Sequence, residues 1–163
     1  MDTLDQARKN WAVTIEDKGG HCPCCDRWGK VYRHSISGLN AKTLLWMCAN
    51  TKANDPWIHM PTETPRDLMR SPFSLLRWWG LVQRMHIEPE VGEEQESRHS
   101  GYWRVTDLGQ QFARGRIEVP KYVYLYNDAR QGMSDETLHI RDCFGKKFNY
   151  SELMGGTWGD DYE

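Results

Sequence analysis

The sequence lacks a long apolar run, a large net charge of either sign and a glycine-rich phosphate loop. A membrane-spanning helix needs about 18 or more consecutive apolar residues, and the opening residues MDTLDQARKN are too polar for a secretory signal. The 21 Lys and Arg residues nearly balance the 23 Asp and Glu residues, so no global field draws the chain to nucleic acid. We therefore expect a cytoplasmic protein with no membrane partner.

The cysteines do not have the number or spacing of a disulfide framework. There are five, an odd number, and Cys22, Cys24 and Cys25 fall within four positions. This arrangement favours a metal site or free thiols in a reducing compartment. Cys22 and Cys25 are separated by two residues, with proline after the first, so the backbone N–H groups of the turn can point at the sulfurs. That spacing is typical of one half of a tetrahedral zinc site.

A complete zinc site needs further ligands, and the sequence contains no second pair with this spacing. The predicted ligand set is Cys22, Cys25, His34 and His59. Cys48, His21 and Cys24 are alternative ligands. We expect such a zinc ion to be structural, because no carboxylate is placed to assist a metal-bound water. The competing interpretation is a tight turn with reduced cysteines and no metal.

No catalytic constellation is apparent in the sequence. A catalytic cysteine needs a thiolate of low pKa beside a histidine, and Cys24 or Cys25 near His21 or His34 meets that need only loosely. Acidic residues cluster only in a charged loop and in the tail, where a solvated charge run is expected. The sequence therefore predicts a protein without enzymatic activity.

Residues 38–115 are predicted to form a winged helix-turn-helix core. The segment 41–52 has an apolar stripe at helical spacing, and Asn40 precedes it as a capping residue. The segment 57–60 alternates as a short strand does. The core is therefore expected to start with a helix followed by a strand.

Two helices and a strand pair are expected to complete this core. The first helix runs to about Arg70, and the second is capped by Ser71 and ends at Gly80. The β-type runs 81–87 and 101–106 then flank a charged loop. The resulting order of helix, strand, two helices, strand, loop and strand is that of a winged helix.

The segments on either side give the chain an α+β fold overall. A lead-in and a cysteine knuckle are expected in 1–37, and a C-terminal β-hairpin with a closing helix is expected in 116–154. The hairpin strands are predicted at 117–126 and 136–141, the helix at 142–154, and an acidic tail at 155–163.

Exposed arginines on the second helix of such a core can read base edges, while other basic and hydroxyl groups hold phosphates. We assign base reading to Ser74 and Arg77. Phosphate contacts are assigned to Arg66, Arg70, Arg84 and Arg104, and wing contacts to Arg98, His99 and Tyr102. Five glutamates in the wing loop oppose a phosphate backbone. An exposed Trp78 would instead suit a protein partner, because tryptophan is a frequent hot spot.

Several phrases of the sequence resemble one family of small phage- and prophage-encoded proteins. They are HCPCCDRWGKVYR, LLRWWGLV, GYWRVTDLGQQFARG, VPKYVYLYN and IRDCFGKKFNYSELM. Cys22 and Cys25 match the Cys-Pro-x-Cys phrase of that family, whereas Cys24 replaces a more usual apolar residue. The resemblance implies a phage origin and a role inside an infected bacterial cell, with no catalytic residues.

Two functions remain as hypotheses from the sequence. The first is a non-enzymatic, phage-encoded DNA-binding or regulatory protein. The second is a protein that binds and inhibits a host factor, such as a defence nuclease, as anti-CRISPR proteins do, or the transcription machinery. The surface of this chain that binds the host factor would consist of the acidic loop, the acidic tail and Trp78. The hairpin and helix at 117–154 would offer a surface for a homodimer.

Overall fold

The computed structural model describes residues 3–86 and 101–144, and the chain divides into two units. Unit 1 contains Met1–Ser35 and Pro120–Glu136, and unit 2 contains Ile36–Val119 and Thr137–Glu163. The fold is α+β with antiparallel sheets, as the sequence predicts.

The described residues form short helices and strands. The α-helices are α1 (Leu4–Glu16), α2 (Gly38–Asn50), α3 (Met60–Glu63) and α4 (Asp107–Ala113). The strands are β1 (Gly20–His21), β2 (Trp28–Gly29), β3 (Tyr32–Ser35), β4 (Ile58–His59), β5 (Val82–Arg84), β6 (Tyr102–Val105), β7 (Val119–Pro120), β8 (Tyr122–Tyr126), β9 (Ala129–Met133) and β10 (Thr137–Leu138). Segments of 3-10 helix span Arg66–Leu68, Phe73–Trp79 and Ile140–Cys143.

Unit 1 combines α1 with the sheet β3-β8-β9 and the hairpin of β1 and β2. The N-cap of α1 is Thr3, whose hydroxyl accepts a hydrogen bond from the Gln6 N–H. The helix continues to Glu16, and Ile15 on its last turn is buried. The Ile15 carbonyl also accepts from the N–H of Val31, 2.7 Å away, which ties the helix to the chain entering β3.

The C-terminal hairpin has a tighter turn than predicted. Asn127 and Asp128 both have positive φ, at 49° and 56°, and they connect β8 directly to β9. Asn and Asp tolerate this conformation, which suits a two-residue hairpin turn. The strand returning from β8 is therefore Ala129–Met133, and the predicted partner strand at 136–141 is wrong. The part of it that is extended, β10, pairs with β7 instead.

In unit 2, α2 starts earlier than predicted. Ser37 is its N-cap, and the Ser37 hydroxyl accepts a hydrogen bond from the Asn40 N–H at 3.1 Å. Asn40 lies inside the helix and is buried, so its predicted capping role is wrong. The apolar stripe of the helix is confirmed: Leu44, Leu45, Met47 and Cys48 are all buried.

The second sheet lies in unit 2 and has the strand order β4-β6-β5. Ile58 of β4 and Arg84 of β5 both pair with Trp103 of β6. Trp103 and Val105 are buried, and α2, α4 and the 3-10 helix Phe73–Trp79 pack around this sheet. Thr106 caps α4, and its hydroxyl also donates to the Gly80 carbonyl, which links that helix to the end of the 3-10 segment.

The two helices predicted before β5 are shorter and tighter than expected. The helix that begins at Met60 ends at Glu63, because Thr64 precedes a proline and is extended, with ψ at 129°. The second segment is a 3-10 helix that starts after Pro72. Ser71 does not cap it, since no side-chain cap bond forms there and Ser71 donates to Asn40 instead.

The side-chain spacing explains the 3-10 geometry of the second segment. Phe73, Leu76 and Trp79 are three residues apart, and such positions align on one side of a 3-10 helix. Leu76 and Trp79 are buried, and Phe73 packs edge-on against the ring of Trp103. Gly80 ends the segment at a positive φ of 76°, as predicted.

Several predicted features fall outside the described residues. These are the whole wing loop at 88–100, the acidic tail at 155–163 and the closing helix beyond residue 144. Residues 142–144 are described, and Asp142 and Cys143 belong to the 3-10 helix Ile140–Cys143. No helix in the described ranges is both long and apolar enough to cross a membrane.

Candidate nucleic-acid interface and thiol hairpin

Three of the predicted basic contacts are exposed side chains in the short helical segments of unit 2. Arg66 lies in the 3-10 helix that follows α3, and Arg70 comes two residues after that helix ends. Arg77 lies in the second 3-10 helix, and its guanidinium carbon is 4.8 Å from the ring centre of Trp78. These arginines can reach an anion without desolvation of a buried charge.

The remaining side chains of the second 3-10 helix are less accessible. Ser74 and Trp78 are half-buried, and Trp79 is buried. Because the Arg77 guanidinium lies over the ring of Trp78, this tryptophan is not the fully exposed side chain that the sequence suggested. Arg77 therefore has the greatest access to a partner among the polar groups of this segment.

A second group of predicted contacts lies on the outer face of the unit 2 sheet. Side chains alternate along β6, and since Trp103 and Val105 are buried, Tyr102 and Arg104 point away from the core. Arg104 is directly opposite Gln83 and donates from Nε to the Gln83 side-chain oxygen at 2.7 Å. Its guanidinium also lies 5.4 Å from the ring centre of Trp57. These contacts hold Arg104 in a defined orientation.

Tyr102 also lies on this outer face, whereas Arg84 does not. The Tyr102 ring is exposed and lies against the ring of His59, with ring centres 4.8 Å apart. Arg84 is half-buried in β5 directly opposite the buried Trp103, so it lies on the core-facing side of the sheet. Arg98 and His99 lie outside the described residues.

One feature of unit 2 was missed in the sequence. Between α3 and the second 3-10 helix lies an open cavity of about 420 Å³ with a mainly apolar lining. It is lined by Met60, Pro61, Thr64, Leu68, Met69, Phe73, Gly101 and Trp103. Met69 is 57% exposed, a high value for a large apolar side chain. The only sequence signal was an apolar pair, Leu68 and Met69, in a segment rich in charge.

The cysteine knuckle of unit 1 is the loop of the β1–β2 hairpin. The Cys22 N–H donates to the Arg27 carbonyl, and the Asp26 N–H donates to the Cys22 carbonyl, each at 2.8 Å. Asp26 takes a left-handed conformation, with φ at 60°, which closes the loop. His21 Nδ1 lies 2.9 Å from the Asp26 carbonyl oxygen, and its ring packs edge-on against Trp28. The loop is therefore held in one shape by its own backbone.

The sulfur of Cys22 accepts hydrogen bonds from the backbone N–H groups of Cys24 and Cys25, and these bonds lower the pKa of the Cys22 thiol. This is the geometry expected from the Cys-Pro-x-Cys spacing. Cys22 and Cys25 line one cavity of about 320 Å³, together with Arg27 and Lys30. The two basic residues were not assigned to a site from the sequence, although both stand within five positions of Cys25.

The other predicted zinc ligands have different surroundings. His34 lies on β3 opposite Val123 in unit 1, and His59 belongs to unit 2, where its Nδ1 is 2.7 Å from the Thr62 hydroxyl. The described ranges contain no group of three or more His, Cys, Asp or Glu side chains that could hold a metal ion. Burial raises the pKa of the Cys48 thiol to about 12, which disfavours the thiolate that zinc requires.

The described residues thus offer two surfaces with distinct chemistry. One is a basic surface in unit 2, and the other is an exposed thiol pair in unit 1. No family model matches the chain, and neither a curated protein nor a solved structure matches it.

Proposed function

We propose that the chain is a non-enzymatic, phage-encoded DNA-binding or regulatory protein that contacts a duplex through a winged helix in unit 2. The strand order β4-β6-β5 carries the proposal. In a winged helix, the first strand pairs with the third and the third pairs with the second. The helix α2 before β4, and the three short helical segments between β4 and β5, support the assignment because a winged helix carries its helices before the hairpin that forms the wing.

The distribution of exposed charge supports a duplex as the partner. Arg66, Arg70 and Arg77 are exposed in the two segments that a winged helix turns toward DNA. Arginine holds phosphate oxygens through a planar fork of N–H donors. Arg66 and Arg70 serve as phosphate contacts, and Arg77 with Ser74 reaches the base edges.

The face of the sheet that carries Tyr102 and Arg104 extends this surface. Arg104 is oriented by Gln83, so it reaches a phosphate with little loss of side-chain freedom. Arg84 is half-buried on the opposite, core-facing side of the sheet, so it is not part of this surface.

The shape of the second segment limits base reading. A seven-residue 3-10 helix is about 14 Å long and carries few outward side chains. Arg77 is exposed in it, whereas Ser74 and Trp78 are half-buried. We therefore expect phosphate contacts to supply most of the affinity, with only modest preference among sequences.

The test is fluorescence anisotropy of the full chain with a labelled duplex at several salt concentrations. Affinity should fall steeply with salt, and Arg70→Ala should lower the salt slope by about one. Arg77→Ala should also reduce the preference among sequences. Arg8→Ala, which removes an exposed charge from unit 1, is the matched control and should leave binding unchanged. Absent or salt-insensitive binding would refute the proposal.

A second function, inhibition of a host protein, has one observation in its favour. The apolar cavity beside the exposed Met69 is the kind of surface that protein partners cover, and methionine adapts to varied partners. In a pull-down from bacterial lysate, a partner that survives nuclease and is lost in Met69→Glu would favour this function. A capture that nuclease removes would favour the first.

A further inference from the structure

The thiol hairpin of unit 1 presents a metal-binding pair at the protein surface. Cys25 is exposed, Cys22 is half-buried, and both line the same cavity. The backbone bonds of the loop fix their positions, and the Cys22 sulfur already accepts two N–H groups. A pair of this spacing supplies two of the four ligands of a tetrahedral zinc ion.

We propose that Cys22 and Cys25 from two copies of the chain bind one zinc ion in a tetrahedral site of four thiolates. Each copy supplies a fixed pair, and the exposure of the hairpin leaves the other two ligand positions open to a second chain. Binding releases the four thiol protons to solvent, so the centre of one Zn²⁺ and four thiolates carries a net charge of −2.

Basic side chains lie beside the Cys22 and Cys25 pair and suit a negatively charged zinc centre. Arg27 and Lys30 line the cavity that contains Cys22 and Cys25. Two copies therefore place four cationic side chains around a dianionic centre.

Exposed aromatic rings beside the pair point to a second protein chain as the source of the remaining ligands. Trp28 is 53% exposed and Tyr32 is 49% exposed, and the Trp28 Nε1 donates to the Tyr32 hydroxyl at 3.1 Å. Both rings line the same cavity as the thiols. Aromatic side chains are enriched where protein surfaces meet, so association through the zinc ion would cover them. This site is independent of the proposed contact with DNA.

The test measures zinc content and molecular mass together on the full chain. Purified protein should contain one zinc ion per two chains and have the mass of a dimer, and a chelator should convert it to a monomer. Cys22→Ser and Cys25→Ser should abolish both the zinc and the dimer. Cys24→Ser, which alters the exposed neighbouring thiol, is the control and should retain both.

A cobalt titration tests the same site in the unaltered chain. Its result therefore does not depend on whether a variant folds. Sulfur-to-Co²⁺ charge-transfer absorption should saturate at one ion per two chains, with the intensity of four thiolate ligands. One ion per monomeric chain, no bound metal, or a dimer that the chelator leaves intact would each overturn the proposal.

Discussion

Ser71 Oγ donates a hydrogen bond to Asn40 Oδ1 at 2.8 Å, and both residues are buried. Asn40 lies in the first turn of α2, and Ser71 lies two residues before the 3-10 helix that carries Arg77. The bond joins two segments that are 31 residues apart in the chain. It therefore helps to position the exposed Arg77 relative to the core of unit 2.

Breaking this bond should destabilise unit 2. Asn40→Ala or Ser71→Ala leaves a buried polar group without its partner, which costs about 1–3 kcal/mol. Because each change removes the same bond, the double variant should lose clearly less than the sum of the two single losses. The free energy of unfolding is measured by denaturant titration.

The control for this cycle pairs Ser71→Ala with Thr3→Ala, which removes the cap of α1 in unit 1. These two losses should add. Additive losses for Asn40 and Ser71 as well would show that the bond contributes nothing measurable.

The close approach of α4 to the chain before β5 predicts a severe effect of a small substitution. A Cβ at Gly109 would overlap the Leu81 carbonyl and lie 2.7 Å from the Val105 side chain. Since backbone must move to make room, Gly109→Ala should cost about 1–3 kcal/mol. Gly132→Ala is the control, because a Cβ there meets nothing within 4 Å. Equal melting temperatures for the two variants would contradict this packing.

The five thiols should divide into two classes of reactivity. Burial raises the pKa of Cys48 and that of Cys143 to about 12, so at pH 8 only about one thiol in ten thousand is ionised at each. Cys24 and Cys25 are exposed, and the pKa of Cys22 is lowered by backbone N–H groups. In timed alkylation of the metal-free chain, mass spectrometry should find rapid labelling at 22, 24 and 25 alone. Rapid labelling of Cys48 in the folded protein would contradict the buried α2 stripe.

Alkaline pH should lower the stability of unit 2, because Cys48 and Cys143 lose their protons more readily in the unfolded chain than in the folded one. In the folded state Cys48 and Cys143 keep their protons up to about pH 12, whereas unfolded thiols lose theirs near 9.0. The folded state therefore binds more protons between these values, and stability falls as pH rises, by about 1.4 kcal/mol per pH unit for each group.

The comparison that isolates this effect is the pH slope of the unfolding free energy in Cys48→Ala. The slope above pH 9 should be shallower than in the unaltered chain, since one titrating thiol is gone. Cys24→Ala should keep the original slope, because that thiol is exposed. Identical slopes in all three proteins would rule out the linkage.

Much of the local structure was predictable from residue chemistry, and most of the errors concern contacts between distant residues. The stripe of α2 and the stop at Gly80 follow from short-range patterns. The partner strand of β8 was predicted wrongly, although the tight turn at Asn127 and Asp128 is a short-range feature. The roles of Asn40 and Ser71 do not, because a buried bond across 31 residues leaves no local signal. The three-residue spacing of Phe73, Leu76 and Trp79 is the local feature that agrees with the 3-10 geometry, whereas the sequence predicted only a helix that ends at Gly80.

The candidate surfaces were predictable to a different extent. The basic residues of unit 2 follow from residue type alone, and Arg66, Arg70 and Arg77 are exposed as expected. The partial burial of Trp78 and the position of the Arg77 guanidinium over its ring depend on packing that sequence spacing cannot specify. The apolar cavity beside Met69 depends on how the segments around α3 pack, so it could not be predicted.

The most direct test of the central claim is amide hydrogen exchange of the full chain with and without a DNA duplex. Contact through unit 2 predicts slower exchange in residues 60–84 and 102–105 when the duplex is present. Residues 122–133 of unit 1 should exchange at the same rate in both conditions. No change anywhere, or slower exchange confined to unit 1, would contradict the proposed interface.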